Sequence, residues 1–345
     1  MAAIGTERRP FIGRFWPGKW KAVWLTLWLL LATSPSHAQW HEQNWSIMGT
    51  TVGARIWWPN AKEAEHLLGL VQQEMERINA TYSPYLETSE LSQINRLAAQ
   101  QPQTLSAEFA ELIDKALWVN TISQGAFDIT YASVGHLYDY RTGSAPNNQT
   151  LKQNLSAVGK LQWQPKTQQL SFNHANVKID LGGLAKGFAV EKAVALLHQH
   201  GVQHGSVNAG GDTRLLGDNL GKSWLIGIKN PRPQSADEQW QSVIKLPLTN
   251  EAISTSGDYE RYFIDSHSGQ RIHHILNPKT GKSSKGIISA TVIGPSGSNT
   301  DPLSTAVFVM GVDAGLAMIN QVPGYEAIVI TSEGQVHYSA GLTPP

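Results

Sequence analysis

The stretch Val177-Lys-Ile-Asp-Leu-Gly-Gly-Leu-Ala-Lys-Gly187 changes character at its midpoint. Alternation over Val177–Leu181 predicts a strand, Gly182 and Gly183 interrupt it, and Leu184, Phe188, Val194 and Leu197 then recur at helical spacing. Glycines at such a junction let backbone approach a ligand closely, and the unpaired amides of a helix start favour anionic oxygen. Lys186 adds a cation to the first turn. The same residues also allow a plainer account, a tight turn capped by Asp180 with Lys186 in solvent. They are not a P-loop, because the glycine spacing and the terminal Lys-Ser/Thr are missing.

Working outward, Gln162–Leu170 reads as a hairpin leading into this segment. Upstream, Gln43–Trp58 alternates and predicts a strand around Met48-Gly-Thr-Thr51. Ala64, Leu67, Leu68, Val71, Met75 and Ile78 predict an amphipathic helix, and Ser89 heads another through Arg96. Ser106 heads a third, ending near Gly125, and Pro146-Asn-Asn148 reads as a turn. Downstream, strands are expected around Ser206 and at 214–216, 224–229, 240–248, 259–265 and 287–294. Pro302 is expected to open a helix, with a second over 313–320 and a closing strand over 325–331. There is no internal repeat, low-complexity tract or long linker, so the fold class is α+β, one domain with two sub-lobes left open.

The chain has 345 residues, 41% hydrophobic and 16% charged, enough for a substantial core. Arg8, Arg9, Arg14, Lys19 and Lys21 precede an apolar run from Ala22 to Ala32 and the small-x-small Ser36-His-Ala38. This is the pattern of a cleaved secretory signal, residues 1–38, on a domain of residues 39–345. Arg8-Arg9 leaves twin-arginine export open beside the general route. A retained membrane anchor is the alternative, although the run is short for a bilayer. Without the first 38 residues, 22 basic groups face 26 acidic ones, a net charge of −4, which argues against a general nucleic-acid binder. With no cysteine, thiolate metal sites, iron–sulfur clusters and cysteine lipidation are excluded.

Asp301-Pro-Leu-Ser-Thr305 fits a helix start, with Asp as N-cap and Pro at the first helical position. The same spacing offers two hard oxygen side chains one turn apart, of the kind magnesium takes together with substrate phosphates. In His273-His-Ile-Leu-Asn-Pro-Lys-Thr-Gly281 a histidine is placed to act as a general base near neutral pH. Adjacent histidines on a strand face opposite ways, so a joint metal site is not expected. Asn208-Ala-Gly-Gly-Asp212 and Ser254-Thr-Ser-Gly-Asp258 read as backbone-exposing loops, and no Gly-x-Ser-x-Gly elbow marks a hydrolase serine.

Taken in order, these segments resemble the ApbE family of FAD:protein FMN transferases. The likeness runs through Met48-Gly-Thr50, Thr81-Tyr82, Ser89-Glu-Leu91, Gly125-Ala-Phe-Asp128, Asp180–Gly187, Asn208–Asp212, Ala252–Tyr259, His274–Gly281 and Asp301–Thr305. The resemblance implies an ApbE-type domain with a T-fold-like core. It also implies an exported, periplasmic enzyme that uses Mg²⁺, cleaves FAD, and attaches FMN to a Thr or Ser hydroxyl of a partner protein, releasing AMP. The expected partner is an acceptor subunit of a membrane redox complex. By matching positions, Met48, Tyr82, Ala126, Phe127, Asp128, Asp180, Lys186 and Leu276 would line the FAD site. The Gly183 carbonyl with Asp301 and Thr305 would hold magnesium, and His274 would be the base. The alternatives are an FAD pyrophosphatase and a periplasmic flavin-binding protein. Three features depart from the family pattern: no lipobox cysteine is present, Ser304 stands where some members have an aspartate, and the stretch after Asp128 lacks the usual proline.

Overall fold

The alternating segment around Met48 is a hairpin and not one strand. β1 (Gln39–Ile47) and β2 (Thr50–Trp58) pair antiparallel, with Ile47 opposite Thr50. Met48 and Gly49 form the two-residue turn, and both have positive φ, 57° and 70°. A two-residue turn with both centres left-handed matches the twist of the strands it joins, and Gly49 takes that conformation without cost. The alternating pattern was legible, but the reversal within it was not.

The model is a computed structural model that describes residues 38–235, 242–266 and 268–342, together with Met1, Ala2 and Gly5. Residues 39–345 form one compact unit. The expected signal sequence falls almost wholly outside the described residues. No helix among the described residues is long and apolar enough to cross a membrane.

The first three helices are α1 (Ala61–Tyr82), α2 (Glu90–Leu97) and α3 (Ala107–Ile122). Asn60, Ser89 and Ser106 cap them, each side chain accepting from backbone amides of the first turn. β3 (Gln103–Thr104) joins the hairpin β4 (Leu161–Gln164) and β5 (Gln169–Phe172) in a small sheet. Between them lie the short α4 (Ala132–Gly135) and α5 (Asn148–Leu155). The latter replaces the expected turn at Pro146–Asn148. Asn147 caps it, and its one buried residue, Leu151, gives too little periodicity to signal a helix.

Residues 177–181 correct the reading from which the sequence argument began. They belong to no strand; α6 (Ala185–Gln199) follows the glycines as expected. Side chains satisfy the backbone instead. Asn95 donates to the Ile179 carbonyl and accepts from its amide at 2.9 and 2.8 Å. Ser133 accepts from the Lys178 amide, and the Asp180 amide donates to the Ile129 carbonyl. An amide side chain thus does the work of a neighbouring strand.

The main sheet has eight strands, all antiparallel, in the order β1-β2-β6-β7-β10-β15-β16-β17. Its later members are β6 (Gly205–Ala209), β7 (Asp212–Leu216), β10 (Ala252–Gly257), β15 (Ile287–Gly294), β16 (Glu326–Thr331) and β17 (Val336–Tyr338). One face packs against α1, α6 and α7 (Gly297–Met310), with α8 (Val312–Ile319) beside α7. The other face is covered by the hairpin β8 (Trp224–Lys229) and β9 (Ser242–Leu248), where Trp224, Ile228 and Leu248 meet Leu215, Ile253, Ile293 and Ile328. Every residue of β15 is buried, as a strand covered on both faces requires. β10 was missed because its Ser-Thr-Ser core looks like loop. Smaller pairs are β11 (Tyr262–Ile264) with β12 (Arg271–His273) and β13 (Leu276–Asn277) with β14 (Lys282–Ser283); His273 ends β12, His274 follows it, and the Asn277–Gly281 turn leads into β14. The α+β expectation holds.

Candidate functional site

α6 and α7 touch where two glycines face each other. A Cβ on Gly187 would lie 2.1 Å from the Gly297 carbonyl oxygen and 2.5 Å from Asp301 Cβ, so only glycine fits. This contact also moves the start of α7. Pro302 does not open the helix; Gly297 does, and Pro302 is its sixth residue. Asp301 therefore does not cap its own helix. Its Oδ2 accepts from the Gly187 amide at 2.9 Å, an orphan donor in the first turn of α6, at the positive end of that helix.

Asp301 is 3% exposed, and Lys186 Nζ lies 3.5 Å from its Oδ2. The same ammonium is closer, 2.9 Å, to Oδ2 of Asp212, which is 2% exposed at the start of β7. It also donates to the Gly182 carbonyl at 3.2 Å. Burial works against the Lys186 charge, but Asp212 and then Asp301 outweigh it and hold the ammonium above the ordinary lysine range. Burial, with Asp212 second, pushes the Asp301 carboxyl up. Asp212 was missed from sequence, where Gly210-Gly211-Asp212 read as a loop. The available signal was an aspartate directly after two glycines and before an apolar strand.

Thr305 is set by a polar seam between β10 and α7. Ser254 hydrogen-bonds Thr300 at 2.8 Å, and Ser256 meets Ser304 at 2.8 Å and Thr305 Oγ1 at 3.1 Å. Residues two apart on a strand thus match residues four apart on a helix. Gly183 is wedged beside them: a Cβ there would sit 3.2 Å from Thr305 Oγ1 and 3.3 Å from the Phe127 ring. Asp301, Thr305, Gly183, Lys186 and Phe127 are therefore brought together. No group of three His, Cys, Asp or Glu side chains suited to a metal occurs among the described residues. The cluster offers a carboxylate, a hydroxyl and backbone carbonyls, a hard-oxygen set that fits magnesium sharing its shell with phosphate and water. Ser304 is occupied by Ser256 and the Asp301 carbonyl.

Asp180 adjoins this cluster. Its Oδ1 accepts from the Gly182 amide at 2.6 Å, and burial pushes its carboxyl up against that hydrogen bond and the charges of Arg261 and Lys186. Asp128 caps the turn Ile129–Tyr131 through Thr130, and burial raises it too. Ala126 is buried beside Phe127. Tyr82 is buried against Phe109 and Phe188 and donates to Glu108 at 2.7 Å. Leu276 packs with Val134 and Leu151, and Met48 sits in the β1–β2 turn, whose Gly49 faces the Arg261 guanidinium. A shallow hollow of about 560 Å³ beside α3, lined by Asp114, Lys115 and Trp118 among others, includes none of the expected site residues.

His274 follows β12. Its amide and its Nδ1 both lie within hydrogen-bond distance of the Arg261 carbonyl, at 3.0 and 3.3 Å. With Nδ1–H donating, Nε2 is the free acceptor. Burial, and then the Arg261 charge, lower its pKa to about 3. His273 faces the other way, as expected, but it is not an idle neighbour. It is 3% exposed, its ring meets Phe308 edge-on at 5.6 Å, and Nε2 donates to the Ser284 carbonyl at 2.9 Å. His273→Gln should therefore cost about 1–3 kcal/mol of stability from the lost hydrogen bond and ring packing. Burial lowers the His273 pKa in the fold. That contribution is complete above the unfolded imidazole pKa of about 6.5 and is lost as pH falls through the folded value. Urea unfolding should therefore show a larger cost for His273→Gln at pH 7.5 than at pH 5.0, and an equal or reversed cost would refute this role.

A family model described as the ApbE family matches residues 48–329. The FAD:protein FMN transferase of Vibrio cholerae is 30% identical over 326 residues, covering 92% of this chain and 96% of that protein. That of Haemophilus influenzae is 31% identical over 257 residues, covering 71% and 73%. Among solved structures, the ApbE protein of Thermotoga maritima matches with a TM-score of 0.78 at 30% identity, over 88% of this chain and 98% of that one. The flavin transferase ApbE from Vibrio cholerae matches with a TM-score of 0.76 at 26% identity, over the same shares.

Proposed function

Because the chain belongs to the ApbE family, we propose that it transfers the FMN moiety of FAD to a Thr or Ser hydroxyl of a partner protein, releasing AMP. The observation that carries this reading is the meeting of Lys186, Asp301, Thr305 and Gly183 at the start of α6. In the proposed step the acceptor hydroxyl oxygen attacks the FMN phosphorus. The bond to the bridging oxygen breaks, AMP leaves with that oxygen, and the hydroxyl proton passes to Nε2 of His274. Lys186 holds the diphosphate and offsets its charge. Asp301, Thr305 and the Gly183 carbonyl would hold magnesium, which when bound neutralises phosphate charge. His274 is neutral at working pH, and the incoming diphosphate charge raises its basicity toward the useful range.

We place the enzyme in the periplasm, exported by the segment ending at Ala38, with a subunit of a membrane redox complex as acceptor. The basic and apolar pattern of residues 8–38 supports export. The test of activity is mass spectrometry of a candidate acceptor after incubation with FAD and Mg²⁺. A mass gain of one FMN moiety on a Thr or Ser is expected; unmodified acceptors throughout would sink the reading. AMP release without acceptor, measured alongside, separates transfer from hydrolysis, and an equal rate in both cases would make the protein an FAD pyrophosphatase.

A further inference from the structure

We propose that Asp212 is a positioning residue that holds the Lys186 ammonium while Asp301 engages the metal, so that lysine and cation do not compete for one carboxylate. The inference rests on the reading that Asp301 binds magnesium. Lys186 Nζ lies between two buried carboxylates and is nearer to Asp212, at 2.9 Å against 3.5 Å. Oδ2 of Asp301 already serves the Gly187 amide and the ammonium. A divalent cation arriving at Asp301 faces the ammonium across a short gap in a poorly hydrated setting, where like charges repel strongly. Asp212 offers the ammonium a second anion that the metal does not need.

The backbone holds Asp212 in this role. It sits in the middle of the sheet, opposite Ala209 on β6 and Ser254 on β10. The preceding turn admits only small residues: a Cβ on Gly210 would lie 2.8 Å from Thr50 Oγ1, and one on Gly211 2.7 Å from the Thr255 carbonyl oxygen. Gly210 also has a φ of +60°. The carboxylate is therefore fixed by sheet pairing and turn packing, while Lys186, on a long flexible stem, is the part able to shift.

The experiment is a double-mutant cycle on metal affinity, read without turnover. Mn²⁺ is titrated by electron paramagnetic resonance, alone and with adenosine diphosphate, into wild type, Asp212→Asn, Lys186→Met and the double variant. Asp212→Asn should weaken Mn²⁺ binding about 10–100-fold, the usual effect of losing an outer partner of a metal ligand. In the Lys186→Met background the same change should cost less than about threefold, because no ammonium remains to compete. Asp212→Glu should recover most of the affinity. Equal losses in both backgrounds would mean that Asp212 acts as a bare charge or a ligand, and overturn the proposal. So would an Asp212→Asn protein that binds Mn²⁺ normally. Wild type that binds no Mn²⁺ under either condition would remove the metal site itself, and Asp212's role with it. Should Asp212→Asn not fold, Asp212→Ser takes its place in the cycle.

Discussion

Asp301→Ala is expected to lower magnesium-dependent flavin transfer by at least about 10²–10³-fold, the usual effect of removing one preorganised charge partner from a phosphoryl or acyl transfer site. It should also destabilise the fold more than a lost surface cap would. The carboxylate is buried and accepts from the Gly187 amide, which the substitution leaves unsatisfied in the α6–α7 contact. Lys186 keeps Asp212, so its charge is not stranded. The expected cost is therefore about 2–4 kcal/mol, between that of an unmade buried hydrogen bond and that of a broken buried ion pair. Initial rates across a magnesium titration, with urea unfolding of the same preparations, check both parts. A variant that turns over normally at low magnesium would end the metal assignment. One that loses activity with unchanged stability would contradict the capping of α6.

His274→Ala is expected to lose about 10²–10⁴-fold in transfer while FAD still binds, since a positioned general base contributes on that scale. The ring's partner is the Arg261 carbonyl, which the His274 backbone amide also reaches, so the local turn should survive removal of the imidazole. FAD fluorescence separates binding from chemistry. If binding falls together with the rate, the ring is a structural or substrate-holding group. A rate within about threefold of wild type would exclude it as the base. The contrast with His273→Gln is diagnostic, because that variant should lose stability first and activity only as the fold yields.

Much of the molecule was legible in the chain itself. Apolar spacing from Ala64 to Ile78 and the serines at 89 and 106 located the first three helices, and two of their caps, to within a few residues. Those signals are local: a period of 3.6 and a side chain accepting from an amide two or three residues on. The strands at 224–229 and 287–294 were equally plain, as uninterrupted or alternating apolar runs between breakers. Lys186, Asp301 and Thr305 also stood out as candidates, although each had a plainer local reading, a solvated lysine or a helix cap, and it was the resemblance of the ordered segments to a family that singled them out.

Contacts distant in sequence decided the rest. Asp301-Pro302 has every local mark of a helix start, yet α7 begins five residues before the proline, because Gly187 and Gly297 let two helices touch. Residues 177–181 alternate like a strand but find Asn95 and Ser133 in place of a partner strand. Ser254 and Ser256 look like loop residues until the seam with α7 satisfies their hydroxyls inside the sheet. The Gly-Gly-Asp212 turn marks an aspartate at a strand start but not its partner, a lysine 26 positions earlier that lies 2.9 Å away. The sequence by itself determined which elements form and which residue types carry the chemistry, because propensity, capping and periodicity act over a few residues. Only the tertiary structure decided which carboxylate caps which helix and which two share Lys186, because burial and charge pairing depend on distances in space that chain separation does not encode.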